Sequence, residues 1–268
     1  MSQIICFADF MENEFILDKM CDENKRKIEG FVKVQSGKLF KSEICEAFLE
    51  ITSSTSFRLD LGDNFIDLAL KKYTPKFTVE LTLEDIVKMT DVFSKIIDSK
   101  SKFTRRHSKG IAEKTAIMAD YYNYDVDTKT RLVIAANLHD LGKLAVPNSI
   151  LDKPGKLTDD EFDIIKAHTY YTRVALSQID SFEDITEWAS NHHEKLNGYG
   201  YPYGKTASEL DFNSRLMGCI DIYQALTEER PYRKPIAHNK VIDIMNKMAK
   251  EGFIHRNIVA DINEAVKS

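Results

Sequence analysis

Five of the seven histidines in this 268-residue chain fall in one ordered series with two aspartates. The series comprises His107, His139-Asp140, His168, His192-His193 and Asp221. Imidazole nitrogens and carboxylate oxygens are groups that hold divalent transition metals in proteins. Each histidine taken alone is better explained by an ordinary core or surface position, but two places with adjacent ligating residues favour a shared site. The series therefore predicts a metallohydrolase.

Asp140 is the natural bridge between two metal ions, because a carboxylate has two oxygens and a neutral imidazole offers one free nitrogen. On a helix, His139 and Asp140 lie a little over a quarter-turn apart, so both can approach one site. The other ligands divide into His107, His139 and Asp221 at the first ion, and His168, His192 and His193 at the second. A pair of metal ions lowers the pKa of bound water to about 7 and binds a phosphoryl group from both sides. The expected nucleophile is a metal-bound hydroxide, so no serine or cysteine nucleophile is required.

Four residues are candidates for contacts with a phosphate-containing substrate. Lys143, one helical turn after the His-Asp pair, can place an ammonium beside a phosphate or protonate a leaving oxygen, and with Asp140 it forms the candidate catalytic pair. Arg230 and Arg233 offer rigid bidentate donors, and Tyr201, fixed between a glycine and a proline, can line a pocket or stack on a base. The alternatives are a solvated lysine at a helix end, arginines in surface salt bridges and a tyrosine that packs in its loop.

The elements that must position these residues show helical periodicity along nearly the whole chain. Thr82 and Asp85 form a variant capping box, and proline and glycine interrupt the pattern at 144–156 and 197–204. Strand-like alternation is confined to Phe77–Leu81, so the predicted fold class is all-α. Helices are expected at about 83–99, 103–122, 127–141, from 158 past His168, 182–193, 213–226, 236–250 and 256–267.

Residues 1–80 lack the ligating histidines and are predicted to be an accessory helical segment, whereas residues 83–268 form the predicted metallohydrolase domain. A junction is expected at Lys71–Lys76, where a proline is surrounded by charge. The segment CFADFMEN, with Asp9, resembles CIDIYQAL, with Asp221. Residues 1–80 are therefore either the remnant of a preceding copy of the same domain or a set of ordinary amphipathic helices.

The composition is that of a globular protein with an acidic balance, since 43% of residues are apolar, 29% are charged and the net charge is −5. This balance argues against a broad surface for DNA or RNA, although a small phosphate ligand needs only local cations. The sequence has no run of about 18 apolar residues, so no membrane insertion is expected, and no signal-peptide pattern. Its four scattered cysteines are typical of reduced thiols. These features predict a cytoplasmic protein.

Three motifs occur in order: HDLGK at 139–143, HHEKLNGYGYP at 192–202 and IDIYQALTEERPYR at 220–233. Together they resemble the HD-GYP family of cyclic-di-GMP phosphodiesterases, a branch of the HD phosphohydrolases, over about residues 83–268. The resemblance implies a helical HD-domain bundle with a centre of two or three ions of iron or manganese, zinc, nickel or cobalt being alternatives. It also implies hydrolysis of cyclic-di-GMP to linear pGpG, with GMP as the alternative end product.

Carried over residue by residue, the resemblance gives all seven members of the histidine–aspartate series as metal ligands. It has Lys143, Arg230 and Arg233 bind the phosphates, and it makes Gly200-Tyr201-Pro202 a loop at the border of the site. Phe103 stands where three-metal members have a glutamate, four residues before the first histidine. An apolar ring cannot ligate a metal, so two ions are expected.

Asn197 and Gln224 stand where aspartate is common in the family, which bears on the positioning of substrate more than on metal binding. Two alternatives to cyclic-di-GMP hydrolysis are carried forward. One is hydrolysis of another phosphoester, such as cyclic GMP-AMP or a mononucleotide. The other is a signalling module that binds a cyclic dinucleotide or a protein with little turnover, although a complete ligand set favours hydrolysis. A second copy of the chain and signalling proteins are candidate partners.

Overall fold

The computed structural model describes residues 2–15, 17, 22–62, 65–74, 79–101, 107–229 and 234–266. Over these ranges the regular structure is helical and contains no β-strand, with only two isolated bridges, Ser36–Phe40 and Asn197–Thr206. The predicted all-α fold class is therefore confirmed. The strand-like stretch Phe77–Leu81 begins outside the described residues, and its described part, 79–81, is not a strand. The chain divides into two compact units, Met1–Val79 and Glu80–Ser268.

The N-terminal unit has its own apolar core, built largely from aromatic rings. Phe7 packs edge-on against Phe40 with ring centroids 4.9 Å apart, and Met11 and Val32 are buried beside them. Asp9, the residue compared above with Asp221, is exposed, and the repeat hypothesis stays a prediction. The helices of this unit are α1 (Ser2–Glu14), α2 (Asp22–Gln35), α3 (Ser42–Ser53), α4 (Thr55–Asp60) and α5 (Ile66–Tyr73).

The C-terminal unit contains all of the predicted metal ligands. Among the described residues, none of its helices, nor any in the N-terminal unit, is long and apolar enough to span a bilayer. A short 3-10 helix, Leu141–Ala145, follows α8. The α-helices are α6 (Leu83–Lys100), α7 (His107–Tyr121), α8 (Val126–Leu138), α9 (Asn148–Leu151), α10 (Asp159–Leu176), α11 (Glu183–Ser190), α12 (Phe212–Thr227), α13 (His238–Lys250) and α14 (Arg256–Ala265).

Both helices end before the adjacent ligand pairs, which the sequence analysis places within the last turn of each helix. Helix α8 ends at Leu138 rather than near 141, so His139 is its C-cap and Asp140 precedes the 3-10 helix. Helix α11 ends at Ser190, two residues before the second pair. The interval 144–156, predicted as a loop, contains the end of the 3-10 helix and the four-residue α9. Apolar periodicity does not mark these ends, because the residues on either side of them are buried as well.

A glycine and a threonine join the turn after α8 to α10. A Cβ atom on Gly142 would lie 1.9 Å from the His168 carbonyl oxygen, so this close approach requires glycine. The Gly142 amide donates to Thr172 Oγ1 at 2.9 Å, and the same hydroxyl donates to the His139 carbonyl at 3.1 Å. These contacts fix His139 relative to the helix that carries His168.

Asp211 is the N-cap of α12 and serves two partners at once. One carboxylate oxygen accepts the Ser214 amide at 2.7 Å, and the other accepts the Trp188 indole N–H, also at 2.7 Å. The cap therefore links the start of the helix that carries Asp221 to α11. Asp125 caps α8 in the same way, with its carboxylate accepting the Thr128 amide and hydroxyl, but without a contact to a buried side chain.

We expect Asp211→Ala to lower the free energy of unfolding by about 2–4 kcal/mol, because it removes a helix cap and leaves the buried Trp188 N–H without its acceptor. Asp125→Ala is the matched control and should cost clearly less, since only a cap is lost. Urea unfolding of the two variants measures both values. Equal losses would show that the contact to Trp188 contributes nothing.

Candidate metal centre

The seven predicted ligands come together from five separate segments. His107 opens α7, the His139-Asp140 pair follows α8, His168 lies within α10, the His192-His193 pair follows α11, and Asp221 lies within α12. Six of the seven are buried, with at most 7% of their surface exposed. His193 is the exception, with 30% of its side chain exposed. The arrangement is a buried cluster that opens to solvent at one histidine.

The cluster contains three sets of residues, and within each set the ligating atoms lie within 4.8 Å of one another. The sets are His107, His139 and Asp221; His168, His192 and His193; and His139, Asp140 and His192. The first two sets correspond to the two groups of ligands expected from the sequence. The third set joins a histidine from each group through Asp140. The described geometry thus has the form of two neighbouring ligand sets with a carboxylate between them.

Backbone carbonyls fix the tautomers of three histidines in the cluster. Each Nδ1 faces the carbonyl oxygen three residues earlier, at 2.7 Å for His139, 2.6 Å for His168 and 2.7 Å for His192. A carbonyl only accepts, so each Nδ1 carries the proton and each neutral ring has its lone pair on Nε2. The Nε2 atoms of His168 and His192 lie 3.4 Å apart. Lone pairs that face one another at this distance need a cation between or beside them.

The same histidines are poor sites for a proton. Burial, reinforced by neighbouring positive charge that includes Lys143, lowers the pKa of His168 to about 3. Burial and the adjacent His193 hold the pKa of His192 well below its ordinary value. Both rings are therefore neutral near pH 7 and present nitrogen lone pairs, which is the form of imidazole that binds transition metals.

Asp140 lies between the two ligand sets with its oxygens directed to different partners. Oδ2 accepts the Lys143 ammonium at 2.5 Å and lies 3.2 Å from His139 Nε2. Oδ1 lies 3.4 Å from His168 Nε2 and 4.0 Å from His192 Nε2. Burial opposes ionisation, yet His139 and the Lys143 ammonium hold the Asp140 pKa well below its usual range.

Two buried polar atoms at this point make no hydrogen bond, His139 Nε2 and Asp140 Oδ1. An unsatisfied buried polar atom costs about 1–3 kcal/mol, so native proteins rarely keep one without a ligand or solvent partner. Both atoms are ordinary metal ligands, a nitrogen lone pair and a carboxylate oxygen. Because these two donor atoms have no hydrogen-bond partner, the donor set fits a divalent metal ion.

His107 differs from the other histidines because carboxylates face both of its nitrogens. Nε2 lies 3.1 Å from Asp221 Oδ1, and Nδ1 lies 2.9 Å from Glu228 Oε2. Burial opposes protonation, but these two contacts raise the His107 pKa to about 9, and burial opposes ionisation of Asp221 while His107 lowers its pKa. Glu228 is not one of the predicted site residues, although it lies inside the third motif. A carboxylate on the far nitrogen of a ligating histidine orients the ring toward the metal.

The glycine-rich loop that follows the second histidine pair is held against the cluster by Glu194, which is likewise not one of the predicted site residues. Its carboxylate accepts the backbone amides of Tyr203 at 2.8 Å and Lys205 at 2.9 Å. Two residues before Tyr203, the Tyr201 amide donates to the His193 carbonyl at 3.2 Å, and the His193 and Tyr201 rings lie 4.8 Å apart. Tyr201 is therefore next to the cluster, at its exposed side.

The remaining sequence predictions have mixed outcomes. Asn197 acts in a turn, where its side chain accepts the Tyr199 amide at 3.2 Å. Gln224 accepts the Lys114 ammonium at 2.7 Å. Arg230, Arg233 and Phe103 lie outside the described residues.

Known proteins resemble this chain over much of its length. The family model described as the HD domain matches residues 91–258, which confirms the resemblance to the HD phosphohydrolases. The 3'3'-cGAMP-specific phosphodiesterase 1 of Vibrio cholerae is 34% identical over 212 residues, which are 78% of this chain and 49% of that protein. A cyclic di-GMP phosphodiesterase of Thermotoga maritima is 31% identical over 169 residues, covering 62% of this chain and 45% of its own.

A solved structure extends the similarity to the N-terminal unit. The crystal structure of a cyclic GMP-AMP specific phosphodiesterase of V. cholerae superposes with a TM-score of 0.60 and 27% identity, covering 96% of this chain and 57% of the other. The chain spans about half the length of the curated relatives that it matches over the longest stretches.

We expect Glu228→Ala to weaken metal affinity about 10- to 100-fold, because His107 loses the carboxylate that orients it. Competition with a chelator of known affinity measures this change directly. Glu229→Ala is the matched control, since Glu229 is the exposed neighbour and its removal should leave the affinity unchanged. Equal affinity for the two variants would contradict the orienting role.

Proposed function

We propose that this chain, which belongs to the HD domain family, is a metal-dependent phosphodiesterase that hydrolyses a cyclic dinucleotide. The single observation that carries this proposal is the convergence of unpaired ligand atoms on Asp140, with His139 Nε2 and Asp140 Oδ1 both buried and unsatisfied. Buried donor atoms of this kind suit metal ions. Relatives of the chain carry the names of cyclic-dinucleotide phosphodiesterases, and metal centres built from histidine and carboxylate serve phosphoester hydrolysis.

Two divalent ions are proposed, with Asp140 shared between them. His107, His139 and Asp221 would complete the first ligand set, and His168, His192 and His193 the second. A mixture of imidazole and carboxylate donors suits iron and manganese, with zinc, nickel and cobalt as alternatives. When bound, such ions polarise the phosphoryl group and lower the pKa of water at the site.

The residues of the chain have separable roles in this proposal. Asp140 would contribute one of its two oxygens to each ligand set. Lys143 carries a proton on Nζ, so this ammonium can bind a phosphate oxygen or protonate the leaving oxygen. Tyr201 covers the exposed side of the cluster next to His193. Arg230 and Arg233 are proposed to bind the phosphates, on the strength of the third motif.

The proposed substrate is cyclic-di-GMP, opened to linear pGpG, with GMP as the alternative end product, as the resemblance of the three motifs implies. A second candidate is 3'3'-cGAMP, and one observation favours it. The relatives named as 3'3'-cGAMP-specific phosphodiesterases 1 and 3 align over 78% and 81% of the chain, more than the 62% aligned with the T. maritima cyclic di-GMP enzyme. The longer alignment supports a shared architecture that extends into the N-terminal unit.

The test is turnover by the purified chain, loaded with iron or manganese, against a panel of cyclic dinucleotides with the products separated by chromatography. The proposal predicts loss of cyclic-di-GMP or 3'3'-cGAMP and the appearance of a linear dinucleotide. Treatment with a chelator is the control and should stop the reaction. A metal-loaded protein that binds a cyclic dinucleotide without turnover would instead support the signalling module.

We expect Asp140→Ala to abolish both metal occupancy and hydrolysis, because one substitution removes a ligand from each set. Elemental analysis and the turnover assay measure the two effects on the same sample. Asp180→Ala, at an exposed position in a turn, is the control and should behave as the wild type. Full activity in the Asp140 variant would exclude the bridging role.

We also expect two metal ions in each chain, because Phe103 offers no ligand at the position where a third ion would need a carboxylate. Elemental analysis of protein saturated with iron or manganese gives the ratio. A ratio of three at full occupancy would contradict this reading of Phe103 and would require a ligand outside the seven residues.

A further inference from the structure

Phe162 is an exposed aromatic residue on the helix that carries His168. It lies near the N-terminal end of α10, six residues before the histidine, and leaves 43% of its surface exposed. A single exposed phenylalanine is ordinary on a protein surface. Its ring neighbours are what distinguish this one.

An unbroken series of ring contacts runs from the metal centre to Phe162. The His168 and His193 rings lie 5.3 Å apart, and His193 and Tyr201 lie 4.8 Å apart. Tyr201 then meets Phe162 edge to face, with centroids 6.3 Å apart and ring planes at 82°. Phe162 is therefore the outermost ring of an aromatic wall that begins at a proposed ligand and ends in solvent.

The orientation of the Phe162 ring is supported from a second direction. The Lys166 ammonium lies 4.7 Å from the ring centroid, a cation–π distance, and it also pairs with Asp163 at 2.7 Å. Tyr201, on the other element, is held by its backbone contact with His193. A partly exposed ring fixed by neighbours on two elements is suited to stack on a planar ligand.

We propose that Phe162, with Tyr201 beside it, forms a stacking surface for one base of a cyclic dinucleotide whose phosphate lies at the metal centre. The inference rests on the proposed function and adds a binding residue to it. Every nucleobase has a π face, so stacking on an aromatic ring binds purines without reading their edges. Phe162 therefore contributes affinity for the nucleotide, and the choice between guanine and adenine belongs to other residues.

Tyr170 provides a matched control on the same helix. It is also exposed, at 48% of its surface, and it also meets a tyrosine of the loop, Tyr203, at 6.4 Å. Its ring contacts, with Tyr171 and Tyr203, do not continue to the cluster.

The experiment compares Phe162→Leu, Phe162→Trp and Tyr170→Leu with the wild type on cyclic-di-GMP and 3'3'-cGAMP. Phe162→Leu keeps an apolar side chain but loses the ring, so KM should rise roughly fivefold to a hundredfold, the range of base–aromatic stacking. The value of kcat and the metal content should stay near those of the wild type. Phe162→Trp should restore KM, and Tyr170→Leu should not change it.

Three results would overturn the inference. One is an unchanged KM for Phe162→Leu, and another is an equal rise for Tyr170→Leu. The third is a parallel loss of kcat and metal content, which would make Phe162 a structural support of the centre. If the metal-loaded wild type turns over no cyclic dinucleotide, the proposed function fails and this inference fails with it. An active wild type with an indifferent Phe162 leaves the proposed function in place.

Discussion

Burial of the Asp140 carboxylate among imidazole nitrogens is the constraint on which the C-terminal unit depends. An ionised group taken out of water is costly unless opposite charge and hydrogen bonds compensate for the loss of solvation. Lys143 supplies an ammonium on one oxygen, while the other oxygen faces histidine nitrogens without a hydrogen bond. The surrounding helices bring their ligands to this carboxylate, so the packing of the domain and the chemistry of the site have the same origin.

Hydrogen bonds to backbone carbonyls determine which nitrogen of three histidines can bind a metal. Three histidines donate a hydrogen bond from Nδ1–H to the carbonyl three residues earlier, which leaves the lone pair of each neutral ring on Nε2. Contacts between segments then set the distance between His139 and His168. These contacts are the close approach of Gly142 to the His168 carbonyl and the hydrogen bond from the Thr172 hydroxyl to the His139 carbonyl.

Much of this architecture is readable from the sequence, because helical periodicity, capping residues and the spacing of ligand motifs are local properties. The capping box at Thr82 marks its helix correctly, and the helix expected from 158 begins directly after Thr158, which caps it. Contacts over long sequence separations are not readable in this way. Glu228 reaches His107 across 121 residues, and no pattern in the sequence pairs them. Helix ends at the ligand pairs also escape periodicity, since buried residues continue past them on both sides.

Anomalous diffraction from crystals of the manganese- or iron-loaded chain, collected at the absorption edge of the metal, would locate the ions relative to Asp140. Two anomalous peaks are expected, both in contact with Asp140, each with its own group of histidines. The absence of peaks in this cluster, or metal bound only at other residues, would contradict the proposed metal centre.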